Sequence, residues 1–179
     1  MNFELVDAID IEGSPYVFDI SINCESSLAA ASLSSNKVMI HDMESLQQTQ
    51  TIHSHTDTVT SVDFLKRSPY LVHTSSVDKR MCIWDIRSPG NPTFMISAQD
   101  EVTSAAVGID DTLFTAGVGP EIYFYDIRSC GRPLGVYSDC HTDTVTKLRF
   151  HPNLPAVLLS GAEDGLLCTF NTAAAAQVF

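Results

Sequence analysis

Short runs of β-branched and aromatic residues alternate along the chain with clusters of Asp, Asn, Ser, Gly and Pro, and no stretch sustains the three-to-four spacing of an amphipathic helix. In the middle of the chain the runs predict strands at Val59 to Phe64, Leu71 to Ser75, Met81 to Trp84 and Phe94 to Ile96, lettered a to d. The pattern returns at Val145 to Phe150, Val157 to Ser160 and Leu166 to Phe170, with no convincing d strand after it. Ala156-Val157-Leu158-Leu159 is apolar on both faces, so this strand needs cover from two sides, as when small sheets stack face to face.

The likeness between the two stretches extends to identity. His55-Thr56-Asp57-Thr58-Val59-Thr60 recurs as His141-Thr142-Asp143-Thr144-Val145-Thr146, 86 residues later. The same offset carries Phe64 onto Phe150, Thr74 onto Ser160, Asp78 onto Asp164 and Trp84 onto Phe170. A degenerate copy begins at Val102-Thr103-Ser104 and closes at Tyr125-Asp126-Ile127-Arg128, and a more worn one ends at His41-Asp42. A period near 43, with His early and Trp-Asp late, marks one four-stranded propeller blade. The expected fold is therefore all-β, a partial β-propeller forming one domain with blades over about 10–52, 53–97, 98–138 and 139–171. Residues 1–9, with a strand at Phe3 to Ala8, should complete another blade, and 172–179 should form a tail.

Residues 16–171 resemble four WD repeats, the second and fourth copies being the specific matches. The run Tyr137-Ser138-Asp139-Cys140-His141-Thr142-Asp143, with Arg149-Phe150-His151-Pro152, Ser160-Gly161 and Asp164-Gly165, is similar to the WD-repeat protein 89 family. The resemblance implies a structural tetrad of His55, Thr74, Asp78 and Trp84. An indole N–H donates to a hydroxyl, the hydroxyl to one imidazole nitrogen, and the other imidazole N–H to a carboxylate. The fourth copy keeps His141, Ser160 and Asp164 but has Phe170 in place of the indole, which leaves a triad. In the third copy Thr115 remains and Gly119 falls at the Asp position, and the first has Ala31 and Ser35, so those two blades should rely on apolar packing.

The same resemblance implies a non-enzymatic platform for protein assembly. Asp-Ile-Arg follows both Trp84 and Tyr125, which should set Arg87 and Arg128 on one rim of adjacent blades. The pair resembles the Trp-Asp-x-Arg motif of substrate receptors that dock a cullin-4 ubiquitin ligase adaptor; the plainer reading is that each Arg pairs with an acid of its own blade. On the opposite rim Asp57 and Asp143 are candidate contacts for a basic peptide.

Ser160, His141 and Asp164 are also the residue types of a hydrolase triad. A nucleophilic Ser needs an exposed, strained elbow, whereas alternation buries Ser160, and the set recurs as His55, Thr74 and Asp78, as a structural network would. Gly161-Ala162-Glu163-Asp164-Gly165 lacks the alternating oxygen ligands of a calcium loop, and Gly117-Val118-Gly119-Pro120 lacks the helix of a phosphate loop. No cofactor or metal is expected.

Ten Lys and Arg against 22 Asp and Glu give a net charge of -12, which disfavours nucleic acid and favours a basic protein surface. The five cysteines include no Cys-x-x-Cys pair, as expected of reduced thiols inside the cell, in cytoplasm or nucleus. No stretch approaches the ~18 apolar residues of a membrane span. Four copies should not close a ring, so the sequence reads as an amino-terminal half or fragment, or as half of an assembled ring, with self-association through exposed blade faces.

Overall fold

A computed structural model of the chain describes residues 11, 13, 15–53, 55–88, 90–128 and 132–173. The expected strand at Phe3 to Ala8 and most of the tail lie outside the described residues.

The described residues form fifteen strands and no α-helix. The first sheet contains β1 (Val17–Ile22), β2 (Leu28–Leu33), β3 (Lys37–Asp42) and β4 (Gln48–His53), and the second β5 (Val59–Phe64), β6 (Leu71–Ser76), β7 (Arg80–Asp85) and β8 (Phe94–Ser97). The third contains β9 (Val102–Val107), β10 (Leu113–Val118), β11 (Glu121–Asp126) and β12 (Gly135–Tyr137), and the fourth β13 (Val145–Phe150), β14 (Val157–Ala162) and β15 (Leu167–Asn171). Each sheet is an antiparallel meander, because the short turns between its strands allow only neighbour pairing.

Burial on both faces explains the unbroken apolar runs of the second and third sheets, whereas in the fourth Leu158 is buried and Val157 and Leu159 are only half-covered, against the two-sided cover the sequence suggested. Ala30, Val38 and Ile40 of the first sheet pack against Val62, Phe64 and Trp84 of the second. Met81 and Ile83 on the far side of that second sheet meet Ala105, Phe114 and Tyr123 of the third. Ala106, Ile122 and Phe124 then meet Val145, Leu148 and Leu158 of the fourth. Burying a side chain such as Phe64, Phe114 or Leu158 contributes about 1.5–3 kcal/mol, so these three inter-sheet cores are the main driving force for the stack. The four sheets form an arc of a propeller and do not close a ring.

The first strand of every sheet carries a bulge at its second residue. Partners skip Phe18 in β1, Thr60 in β5, Thr103 in β9 and Thr146 in β13. A bulge re-aims the skipped side chain, and all four skipped residues line one cavity of about 290 Å³ where the first strands of the sheets converge. Thr60 and Thr103 use their position to donate across the sheet gap, to the carbonyls of Val102 at 2.7 Å and Val145 at 2.6 Å.

Candidate functional site

The second sheet brings His55, Thr74, Asp78 and Trp84 into one chain of hydrogen bonds. Trp84 Nε1 donates to Thr74 Oγ1 at 2.9 Å, and Thr74 Oγ1 lies 2.7 Å from His55 Nε2. His55 Nδ1 reaches Asp78 Oδ2 at 2.9 Å. Because Nδ1 faces a carboxylate, it carries the proton, and Nε2 accepts from the Thr74 hydroxyl. The Asp78 carboxylate also accepts from the Thr56 and Arg80 backbone N–H groups, each at 3.0 Å.

These bonds tie the loop before β5 to the β6–β7 turn. Burial lowers the His55 pKa, and the adjacent Asp78 carboxylate opposes that effect without cancelling it. Burial pushes the Asp78 carboxyl up, but the bonds from Thr56, His55 and Arg80 together outweigh it and hold the group below its ordinary value.

The fourth sheet repeats the arrangement without the indole. His141 Nε2 lies 2.6 Å from Ser160 Oγ, and His141 Nδ1 lies 3.0 Å from Asp164 Oδ2. The Thr142 and Leu166 backbone N–H groups donate to Asp164 at 3.0 and 2.9 Å. Ser160 is 1% exposed in mid-strand, paired with Leu148 and Cys168, so it has neither the access nor the strained elbow of a nucleophile.

In the third sheet the β10–β11 turn has two residues, Gly119 and Pro120, where the β6–β7 turn has three. The Asp position is thus lost with the shorter turn, and Gly119 takes the left-handed conformation, φ +57°, that Lys79 adopts at φ 69° in the second sheet. Thr115 Oγ1 turns to the Ala106 carbonyl at 3.2 Å instead.

Two rims follow from this topology. On the tetrad side, Asp57 and Asp143 are exposed, and each caps its own turn by accepting from the next backbone N–H, at 2.6 and 2.8 Å. Asp100, between them in the third sheet, accepts from Glu101 N–H at 2.9 Å in the same way and pairs with Lys79 at 3.0 Å. The sequence reading missed Asp100, although the 43-residue step that links Thr60 to Thr103 also links Asp57 to Asp100.

On the other rim, Arg87 and Arg128 have side chains 61% and 66% exposed. Arg87 forks onto Asp85 at 2.9 and 2.7 Å, and Arg128 onto Asp126 at 3.0 and 2.7 Å, so each guanidinium is held by an acid of its own blade. Hydrogen bonds from Arg87 pull the Asp85 carboxyl down to about 2, and those from Arg128 lower Asp126.

Charges also gather where the first strands of the sheets converge. Arg149 bridges Asp63 and Asp19 at 3.2 and 3.4 Å, Lys147 reaches Asp19 at 2.8 Å, and Lys66 reaches Asp63 at 2.7 Å. Ser21 adds a further hydrogen bond to Asp63, which is thereby fully engaged although nearly buried. Sequence reasoning gave no sign of this cluster, since its members lie up to 130 residues apart.

Comparison with known proteins agrees with this architecture. The family model described as WD domain, G-beta repeat matches residues 46–85 and 131–171, the second and fourth repeats. The WD repeat-containing protein GTS1 of Arabidopsis thaliana is 33% identical over 165 residues, covering 89% of this chain and 42% of that protein. The WD repeat-containing protein 89 homolog of Dictyostelium discoideum is 28% identical over 177 residues, covering 96% of this chain and 47% of that one. The chain therefore spans somewhat under half the length of these relatives. Among solved structures, a chain of the mitotic checkpoint complex superposes with a TM-score of 0.81 at 19% identity, over 93% of this chain and 51% of that one, which shows the shared fold. With matching repeats, relatives and architecture, the chain belongs to the WD-repeat proteins, as a partial β-propeller built of WD40 repeats.

Proposed function

We propose that the chain is a non-enzymatic platform for protein assembly whose tetrad-side rim receives basic segments of partner proteins. One observation carries this reading: Asp57, Asp100 and Asp143 occupy equivalent places in three successive blades, exposed and fixed by their own turns. A row of oriented carboxylates on a protein of charge -12 steers and holds cationic side chains, and rigid blades keep the spacing constant. The enclosure of Ser160 and His141 supports a structural role for that triad and not a catalytic one. The same reading puts the protein inside the cell, where its thiols stay reduced.

The test is affinity capture from cell extract with the wild type and a D57K/D100K/D143K variant, with captured proteins identified by mass spectrometry. Capture of basic partners that weakens with salt and is lost in the variant supports the proposal; unchanged capture by the variant refutes it.

Arg87 and Arg128 support a second reading, that of a substrate receptor for a cullin-4 ubiquitin ligase. Both stand at equivalent exposed places, yet both forks are occupied by Asp85 and Asp126, so docking requires an adaptor carboxylate to compete with an existing pair. Replacing both by Ala should abolish capture of the adaptor if this reading holds, while far-ultraviolet circular dichroism stays unchanged. The exposed apolar side chains of β1, Val17, Phe18, Ile20 and Ile22, support self-association as well, which sedimentation would detect.

A further inference from the structure

The tripeptide Arg-Ser-Pro occurs twice, as Arg67-Ser68-Pro69 and Arg87-Ser88-Pro89. The fold brings both to the arginine rim of the second sheet: the Ile86 N–H donates to the Tyr70 carbonyl at 3.0 Å, and the Arg87 guanidinium lies 4.9 Å from the centre of the Tyr70 ring. By sequence the two serines are equivalent. Their surroundings differ.

Ser68 is half-buried in a loop pinned to the next sheet, where the Lys66 and Arg67 backbone N–H groups donate to the Asp111 carboxylate at 2.7 and 2.8 Å. A phosphate there would meet a fixed like charge and would need the loop to detach. Ser88 is exposed in the connection between β7 and β8, and its backbone N–H bonds only as far as the Asp85 carbonyl, at 3.0 Å. That connection also contains Gly90, Asn91 and Pro92, so it can extend into a kinase cleft while the strands on either side stay paired.

We infer that Ser88 is a phosphorylation site for a proline-directed serine kinase, and that its phosphate draws Arg87 away from Asp85. The γ-phosphoryl group of ATP passes to Ser88 Oγ: the new O–P bond forms as the bond to the departing ADP breaks, and the hydroxyl proton goes to the kinase's catalytic base. The product carries about −1.5 to −2 charges at neutral pH and three acceptor oxygens, one residue from a guanidinium that a single carboxylate now holds. A balanced ion pair at the end of β7 becomes a surplus of negative charge. In the third blade the residue after Arg128 is Ser129, followed by Cys130 and not Pro, so that blade lacks the Arg-Ser-Pro sequence.

The test incubates the full chain with a cyclin-dependent kinase and MgATP and maps phosphate by tandem mass spectrometry in wild type, Ser88→Ala and Ser68→Ala. Labelling at Ser88 that is lost in Ser88→Ala and kept in Ser68→Ala is expected. No labelling at Ser88, or labelling at Ser68 as fast as at Ser88, overturns the site. Phosphorus NMR titration then follows the second ionisation of the phosphate, which should lie lower in the phosphorylated wild type than in phosphorylated Arg87→Gln. Identical titrations overturn the transfer of Arg87.

Discussion

Arg149 and Asp63 occupy the same position of the fourth and second repeats, 86 residues apart, and their side chains meet between the two sheets with Nη1 3.2 Å from Oδ2. Equivalent positions of a radial array share one orientation, so opposite charges at a position that faces inward find each other there. Lys147 and Asp19 are paired in the same manner between the fourth and first sheets, at 2.8 Å.

Arg149→Ala should therefore loosen the fourth sheet against the first two. Arg149 is 45% exposed and the pair is screened, so the expected loss is about 1 kcal/mol or less, read as a lower urea midpoint. The difference between variant and wild type should shrink at molar salt, where the screening length falls to about 3 Å. A difference that does not respond to salt would contradict an ionic brace.

The tetrad of the second blade and the triad of the fourth provide reciprocal exchanges. Trp84→Phe removes the donor to Thr74 and should cost on the order of 1–2 kcal/mol. Phe170→Trp offers Ser160 the donor that the fourth blade lacks, and should raise the melting midpoint of the protein. Thermal unfolding of both variants checks the pair.

Gly117 has no room for a side chain: an added Cβ would stand 3.0 Å from Val145 Cβ and Cγ1 in the neighbouring sheet. Gly117→Ala should destabilise by roughly 1–3 kcal/mol through forced separation of β10 and β13. At Gly161 nothing lies within 4 Å, so Gly161→Ala should be neutral or slightly stabilising. Equal unfolding midpoints for the two variants would refute the contrast.

His73 sits on β6 opposite Asp63, fully buried, with its ring edge-on to Phe114 at 5.2 Å. Burial pushes its pKa from 6.5 down to about 4, against the attraction of Asp63 and Asp19 and with the repulsion of Lys66 and Arg149. Between those two pH values the unfolded chain binds the proton and the folded chain does not, so stability falls as pH drops from 6.5 and levels off below 4. A shift of that size corresponds to roughly 3 kcal/mol.

Neither ring nitrogen has a hydrogen-bond partner among the described residues, so His73→Leu should change neutral-pH stability by less than about 1.5 kcal/mol. Its unfolding free energy should also depend less steeply on pH across that window. The lowered pKa of His55 acts in the same direction, so part of the slope should remain.

Much of the fold was legible because the repeat writes each blade in local sequence. The strands at Val59–Phe64 and Val145–Phe150 match to the residue, and β6, β7 and β14 differ from expectation only by one or two terminal residues. The grouping of His55, Thr74, Asp78 and Trp84 could be read from spacing, since they lie within 30 residues and the first three have counterparts in His141, Ser160 and Asp164. What escaped was what only spatial closure creates. Asp19, Asp63 and Arg149 are distant and ordinary as sequence, and the loss of one turn residue near Gly119 disguised itself as a substitution.

The bulge at Phe18, Thr60, Thr103 and Thr146 has a consequence for how the blades hold together. A residue lifted out of the pairing register can reach beyond its own sheet, and the hydroxyls of Thr60 and Thr103 do so by binding the Val102 and Val145 carbonyls of the following blade. Phe18 has no hydroxyl to donate, so the first blade lacks this tie to its neighbour. The bulge thus acts as a stitch between successive blades, one that depends on a single hydroxyl in each.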